Sequence, residues 1–213
     1  LLTRFLAEND IELENSGVIG DRQTVLELES RFGVRGILLG KGEVDSMDWP
    51  QVVDLLCNSE RQAHVDRSTT ETSISARVNL ASSQPVQIST GIGFYDHMLE
   101  QIARHGGFSL SLQCKGDLHV DDHHTVEDTA ICLGEALRAA LGNKLGIGRY
   151  GFVVPMDESE AHASLDLSGR GRIVFKAEFP RATVGEMSTE MVEHFFRTLA
   201  DSLGAAIHLE VKG

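Results

Sequence analysis

The rhythm of hydrophobic and polar positions changes near residue 60 of this chain. Ahead of that point, short apolar runs alternate with amphipathic stretches: an amphipathic piece to about residue 7, an apolar run at 18–20, helical spacing over 25–32 and a second apolar run at 36–39. The order reads as helix, strand, helix, strand and a further helix toward residue 56. Such alternation calls for a parallel sheet with more than two strands, so part of this unit is expected ahead of Leu1. The polar stretch 58–66 marks a boundary, and the expected domains are residues 1–60 and 61–213. In the second, 72–80 alternates as a strand, 95–104 is helical, 108–114 is a strand and 125–141 is a long helix. Residues 161–167 and 172–179 read as two paired strands joined by the turn at 168–171, then come a helix over 189–202 and a strand over 206–211. The class is α+β behind an α/β segment.

A shift of 97 positions superposes part of the second region on itself without a gap. Asp96-His97-Met98-Leu99 falls on Glu193-His194-Phe195-Phe196, Gly107 on Gly204, Leu110 on Ile207, Leu112 on Leu209 and Lys115-Gly116 on Lys212-Gly213. Two copies of a helix-and-strand unit facing each other are expected. In the first copy, Lys115-Gly116 is soon followed by Asp121-Asp122-His123-His124-Thr125-Val126-Glu127-Asp128, so a second His-His-x-x-Glu element is expected beyond Gly213.

Charge and composition narrow the function. With 19 Lys and Arg against 32 Asp and Glu, the formal charge is −13, and no long basic run offers a phosphate backbone a general surface. No apolar stretch reaches the roughly 20 residues of a membrane span, and the expected location is the cytoplasm. Cys57, Cys114 and Cys132 are scattered and read as reduced core residues rather than a disulfide or metal framework. The nine histidines are the unusual feature.

His123 and Glu127 are four positions apart and His124 and Glu127 three, so both pairs share a helical face. Adjacent imidazoles, rotated about 100° from each other, can address two metal ions or one ion and one neighbouring partner. Asp121, Asp122 and Asp128 would favour a divalent cation and orient ring N–H groups. With His97 and His194 related by the repeat, the candidate metal ligands are His97, His123, His124, Glu127 and His194. Imidazole plus carboxylate suits Mn, Fe, Zn or Ni by ligand type.

Two resemblances follow from motifs. Ser16-Gly17-Val18-Ile19-Gly20-Asp21-Arg22 with Gly33-Val34-Arg35-Gly36-Ile37 resembles the end of a haloacid-dehalogenase-type phosphatase, in particular histidinol-phosphate phosphatase. The resemblance implies a Mg2+-dependent parent domain with Asp21 near the metal, but Val25 stands where a second acid usually follows and the nucleophilic aspartate motif is not in this chain. The second covers about residues 64–213: Arg67-Ser68-Thr69-Thr70-Glu71-Thr72, Thr90-Gly91-Ile92-Gly93-Phe94-Tyr95-Asp96-His97, the His-His-x-x-Glu segment, Pro155-Met156-Asp157-Glu158, Leu165-Asp166-Leu167-Ser168-Gly169-Arg170 and Glu190-Met191-Val192-Glu193-His194 look like imidazoleglycerol-phosphate dehydratase. It implies a fold like the second domain of ribosomal protein S5, two Mn2+ ions per complete site, and loss of water from imidazole glycerol phosphate in histidine biosynthesis. By the same resemblance Glu71 is the acid/base candidate, Gln101, Arg149 and Arg170 contact the substrate, and the protein is a large symmetric homo-oligomer. Gly171 departs from the proline that commonly follows the arginine. The competing expectations are phosphatase activity of the parent protein alone and a metal-binding assembly without turnover.

Overall fold

Thr72, Ile74, Ala76 and Val78 are buried while Ser73 and Arg77 face outward, the period-two pattern of a strand covered on one side. This strand, β5 (Thr72–Asn79), lies in the larger of two units into which the computed structural model divides, Leu1–Ser59 and Glu60–Gly213. The structure describes residues 5, 9, 11, 13, 16–40, 45–53, 55–56, 61–144, 147–148, 150–156 and 159–212.

The smaller unit holds β1 (Gly17–Gly20), α1 (Thr24–Phe32), β2 (Arg35–Leu39), β3 (Ser46–Met47) and α2 (Trp49–Val53). Its strands are parallel in the order β1-β2-β3. The two strands read from sequence and the helix between them are present; the two-residue β3 carries no periodic signal and was not expected. Gly33 ends α1 in the left-handed conformation, and a Cβ on Gly36 would strike the backbone of Val25, so β2 packs close beneath α1. The expected first helix falls almost wholly outside the described residues.

The larger unit begins with the hairpin of β4 (Gln62–Ser68) and β5. It continues through β6 (Val86–Ser89), α3 (Gly93–Gly106), β7 (Ser109–Gly116), α4 (His123–Leu141), β8 (Tyr150–Met156), β9 (Ser159–Asp166) and β10 (Arg172–Lys176). A short hairpin, β11 (Thr183–Val184) with β12 (Met187–Ser188), precedes α5 (Glu190–Leu203) and β13 (Ala206–Lys212). One sheet runs β4-β5-β7-β6 and the other β8-β9-β13-β10. Each is antiparallel except for one parallel pair, β6 on β7 and β10 on β13. The two sheets therefore have matching order, and both α3 and α5 end on a left-handed glycine, Gly107 and Gly204, each at φ 69°.

The expected pairing of 161–167 with 172–179 is not what forms. β13 inserts between β9 and β10, pairing antiparallel with the first and parallel with the second. The 168–171 segment is not a two-strand turn but a crossing over the end of α5: Gly169 N–H donates to Gly204 O at 2.8 Å and Arg172 N–H to Ala205 O at 3.0 Å. A Cβ on Gly171 would collide with the Asp201 side chain and approach its Cα to 2.6 Å, which accounts for glycine at that position in this chain.

α4 lies across the inner face of the first sheet, and its other side packs on α5. Leu99, Leu110, Leu112, Val126, Ala130, Leu133 and Ala136 are fully buried in the resulting core. At the crossing of the two helices, a Cβ on Gly134 would overlap the Ser202 hydroxyl and come within 3.0 Å of Leu203 N. Ser202 Oγ is also anchored, donating toward Thr198 O at 2.8 Å and lying 3.2 Å from Ala130 O. Alanine would favour a helix interior over glycine by about 1 kcal/mol. The overlap outweighs that gain, so Gly134→Ala is expected to destabilise the protein by about 1–3 kcal/mol. Chemical denaturation of the purified variant, read as a lowered midpoint at unchanged slope, is the check.

Candidate metal centre

The first turn of α4 presents two histidines because Asp121 holds it in place: its Oδ1 accepts the His123 backbone N–H at 2.9 Å, one of the N–H groups a helix start leaves unpaired. One turn on, Glu127 Oε2 lies 3.1 Å from His123 Nε2. His194 comes from α5, with Nε2 3.5 Å from the same oxygen, and its ring lies 4.6 Å from that of His123. His123, Glu127 and His194 each offer one ligand atom, all within 4.8 Å of one another. His194 Nε2 is buried and makes no hydrogen bond. A buried imidazole nitrogen without a hydrogen bond is costly. It is relieved by a cation, and two imidazoles with a carboxylate suit divalent transition ions, so the residues present fit a metal.

The other expected ligands are placed differently. His124 sits edge-on to His123, ring centroids 5.8 Å apart, and its Nδ1–H donates to Asp117 Oδ2 at 3.0 Å. That hydrogen bond, more than any other influence, raises the His124 pKa, against its partial desolvation. His97 is exposed on α3 and is not brought to the trio. Its acidic neighbour Asp96 is spent locally, accepting the Thr90 backbone N–H at 2.8 Å and the Thr90 hydroxyl at 2.6 Å.

Glu71 stands at the turn between β4 and β5. The Thr70 hydroxyl, donated to its Oε1 at 2.6 Å, holds the carboxyl below the ordinary glutamate range; partial desolvation opposes this, and Thr69 and the charge of His124 assist it. The turn is tied to α4 by Asp128, which is 8% exposed. Its Oδ1 takes Arg67 Nε–H at 2.9 Å, and its Oδ2 takes the hydroxyls of Thr72 at 2.6 Å and Thr69 at 3.2 Å. Burial raises the Asp128 pKa, and the bonds from Thr72 and Arg67 more than reverse it. Asp128 and Asp122 are thus not ring-orienting groups: Asp122 accepts Ser188 N–H at 2.6 Å, joining the start of α4 to the strand before α5. The ring-orienting acid is Asp117, which no spacing announced because only the turn after β7 carries it back to His124.

Of the expected substrate contacts, Gln101 lines an apolar cavity of about 330 Å³ between α3 and α5 and accepts a hydrogen bond from His105 Nε2 at 3.1 Å. Arg170 is exposed in the crossing between β9 and β10. Arg149 lies outside the described residues, as do Asp157 and Glu158. Cys114 and Cys132 are buried, and desolvation lifts the Cys132 thiol to about 11, so neither is poised as a thiolate; Cys57 lies outside the described residues.

The imidazoleglycerol-phosphate dehydratase family model matches residues 90–213. The chain belongs to that family. It is 49% identical over 214 residues to the histidine biosynthesis bifunctional protein HisB of Stenotrophomonas maltophilia (strain K279a), covering all of this chain and 60% of the relative. The protein of the same name from Legionella pneumophila (strain Lens) is 48% identical over 213 residues, with 59% of the relative covered. The chain therefore spans about 60% of the length of the curated relatives it matches. Among solved structures, the dehydratase of Staphylococcus aureus is similar at 33% identity and a TM-score of 0.61, over 70% of this chain and 83% of that one. The dehydratase of Pyrococcus furiosus is similar at 29% identity and 0.60, over 69% and 78%.

A raised histidine pKa places its contribution to stability below the unfolded value of about 6.5, and that contribution is lost as pH rises through the folded value. Asp117→Asn is expected to lower the His124 titration midpoint in metal-free protein, followed by NMR of the imidazole. A midpoint that stays where it is in the wild type contradicts the assignment of Asp117 as its cause.

Proposed function

We propose that this chain carries the dehydratase centre of a bifunctional histidine-biosynthesis protein and removes water from imidazole glycerol phosphate to give imidazole acetol phosphate. The observation that carries the reading is the trio His123, Glu127 and His194, with a buried His194 nitrogen that makes no hydrogen bond, in a chain of the dehydratase family. Mn2+ is the proposed ion, two per complete site, with His97 and His124 as further ligands. Once bound, a divalent cation supplies Lewis-acid polarisation of the substrate imidazole.

The rest of the chemistry belongs to side chains. Loss of water takes one proton from carbon and gives one to the departing hydroxyl, leaving an enol that becomes the ketone. Glu71 is held ionised by the Thr70 hydroxyl, which makes it a base at rest. Having taken the carbon proton, it is the acid that returns one to the hydroxyl. Arg170, and Arg149 with it, supply the planar donors that a phosphate needs inside an acidic chain. Gln101 is proposed to meet a substrate hydroxyl. The S5-like fold, a cytoplasmic location and a symmetric homo-oligomer belong to the same reading. Residues 1–60 are proposed as part of the haloacid-dehalogenase-like phosphatase domain of the parent protein, itself Mg2+-dependent; their parallel β1-β2-β3 order and the match of the whole chain to bifunctional relatives support this.

The test uses the full-length protein loaded with Mn2+. His123→Ala and His194→Ala are expected to weaken Mn2+ binding by calorimetry and to abolish ketone formation. Glu71→Gln is expected to keep the metal and lose about a hundredfold or more in kcat. Wild-type turnover by His194→Ala, or full Mn2+ binding without ketone formation by the wild type, would overturn the reading.

A further inference from the structure

Most of the acids around the centre hold backbone or each other's neighbours, but one of them connects two parts of the proposed chemistry. Asp128 immediately follows Glu127 on α4, and its carboxylate is bound by residues of the β4–β5 turn. Both oxygens are used there. Oδ1 is bound by Arg67 through Nε and a terminal nitrogen, each at 2.9 Å, and Oδ2 by Thr72 and Thr69.

Thr69 relays the hold to the acid/base candidate. Its hydroxyl oxygen accepts the Thr72 N–H at 2.9 Å and the Glu71 N–H at 3.2 Å, while the turn is closed by Thr69 N–H to Thr72 O at 2.9 Å. Two hydrogen bonds therefore run from the α4 carboxylate to the backbone amide of Glu71. The same turn contains no apolar side chain that packing could use to fix it: residues 68–71 read Ser-Thr-Thr-Glu and are all at least partly exposed, and burial begins only at Thr72. Hairpin tips of small polar residues are ordinarily among the more mobile parts of a fold. Here a buried anion satisfied by a guanidinium and two hydroxyls takes the place of packing, and charge-assisted bonds are the strong ones.

We propose that Asp128 is the positioning residue for Glu71: its buried carboxylate clamps the β4–β5 turn to the metal-bearing helix, so that the proton-transferring carboxylate keeps a constant distance from His123, His124 and Glu127. The inference rests on the reading of Glu71 as the acid/base group. It gives a reason for the acid that closes the His-His-x-x-Glu-Asp segment that is independent of metal ligation.

Replacing Asp128 itself risks leaving Arg67 facing an uncharged pocket, so the clamp is tested from its other end. Thr72→Val removes the 2.6 Å bond to Asp128 together with the 3.1 Å contact between the Thr72 and Thr69 hydroxyls and keeps the shape; Thr72→Ser keeps the hydroxyl. In the full-length Mn2+-loaded protein with imidazole glycerol phosphate, Thr72→Val is expected to lower kcat about tenfold to a hundredfold. KM and Mn2+ affinity should stay within about twofold, and Thr72→Ser should restore most of kcat. In a Glu71→Gln background the Thr72→Val loss should vanish, the mark of action through Glu71. Amide exchange at Glu71 and Thr72 should quicken in Thr72→Val while α4 amides do not change. A Thr72→Val enzyme within about twofold of wild-type kcat, a loss undiminished by Glu71→Gln, or unchanged exchange in the turn would overturn the clamp. Wild-type turnover by Glu71→Gln would overturn the reading of Glu71, and is told apart because exchange reports the turn without reference to turnover.

Discussion

The close crossing of α4 and α5 governs where everything else can sit. It depends on the missing side chain of Gly134, into whose space the Ser202 hydroxyl projects. About two helical turns back along each helix from that point are Glu127 on α4 and His194 on α5, so the helices run in the same direction and meet twice. One meeting is a backbone approach fixed by glycine and serine; the other is the group of side chains whose nitrogen and oxygen atoms lie within 4.8 Å. A larger residue at position 134 would push the helices apart, and the displacement would be felt at the histidines.

Around this crossing the acidic residues act as tethers more than as ligands. Asp96 ties the start of α3 to Thr90, Asp121 pairs a free N–H at the start of α4, Asp122 reaches Ser188, Asp117 orients His124 and Asp128 holds the β4–β5 turn. Each sits beside a histidine or glutamate in sequence or in space. The excess of negative charge in the composition is thus partly structural: carboxylates accepting backbone or hydroxyl donors stabilise the segments around the candidate centre, while Glu127 faces His123 and His194 and Asp117 faces His124.

Much of this arrangement was legible in the chain. The helices α3, α4 and α5 were located within a few residues because their apolar spacing is strong, and the 97-residue shift anticipated the shared glycine caps and the equivalent places of β7 and β13. β4 has the sequence of a polar boundary because it is an edge strand whose exposed positions, Gln62, His64, Asp66 and Ser68, conceal the inward Ala63 and Val65. Nearness in sequence suggests a β9–β10 hairpin, but β13 stands between the two strands. Val86 opposes Leu110 and Ile173 opposes Ile207, separations of 24 and 34 positions, so the second copy holds ten extra residues that hid its parallel pair from a gapless comparison. His97 matched His194 by the repeat, yet the fold places it on an exposed face of α3, and no spacing rule within one helix could have shown that.

His123 and Glu127 belong to one helix and His194 to the other, so a ligand gripping all three also fastens the two copies of the helix-and-strand unit together. Occupancy and helix packing then form one equilibrium. At a hundredfold excess over its dissociation constant, such a ligand adds about 2.7 kcal/mol to the folded state by mass action alone. The surrounding cell would thus set not only whether the centre is filled but how firmly its scaffold is closed, and a shortage of the ion would show first as a looser protein.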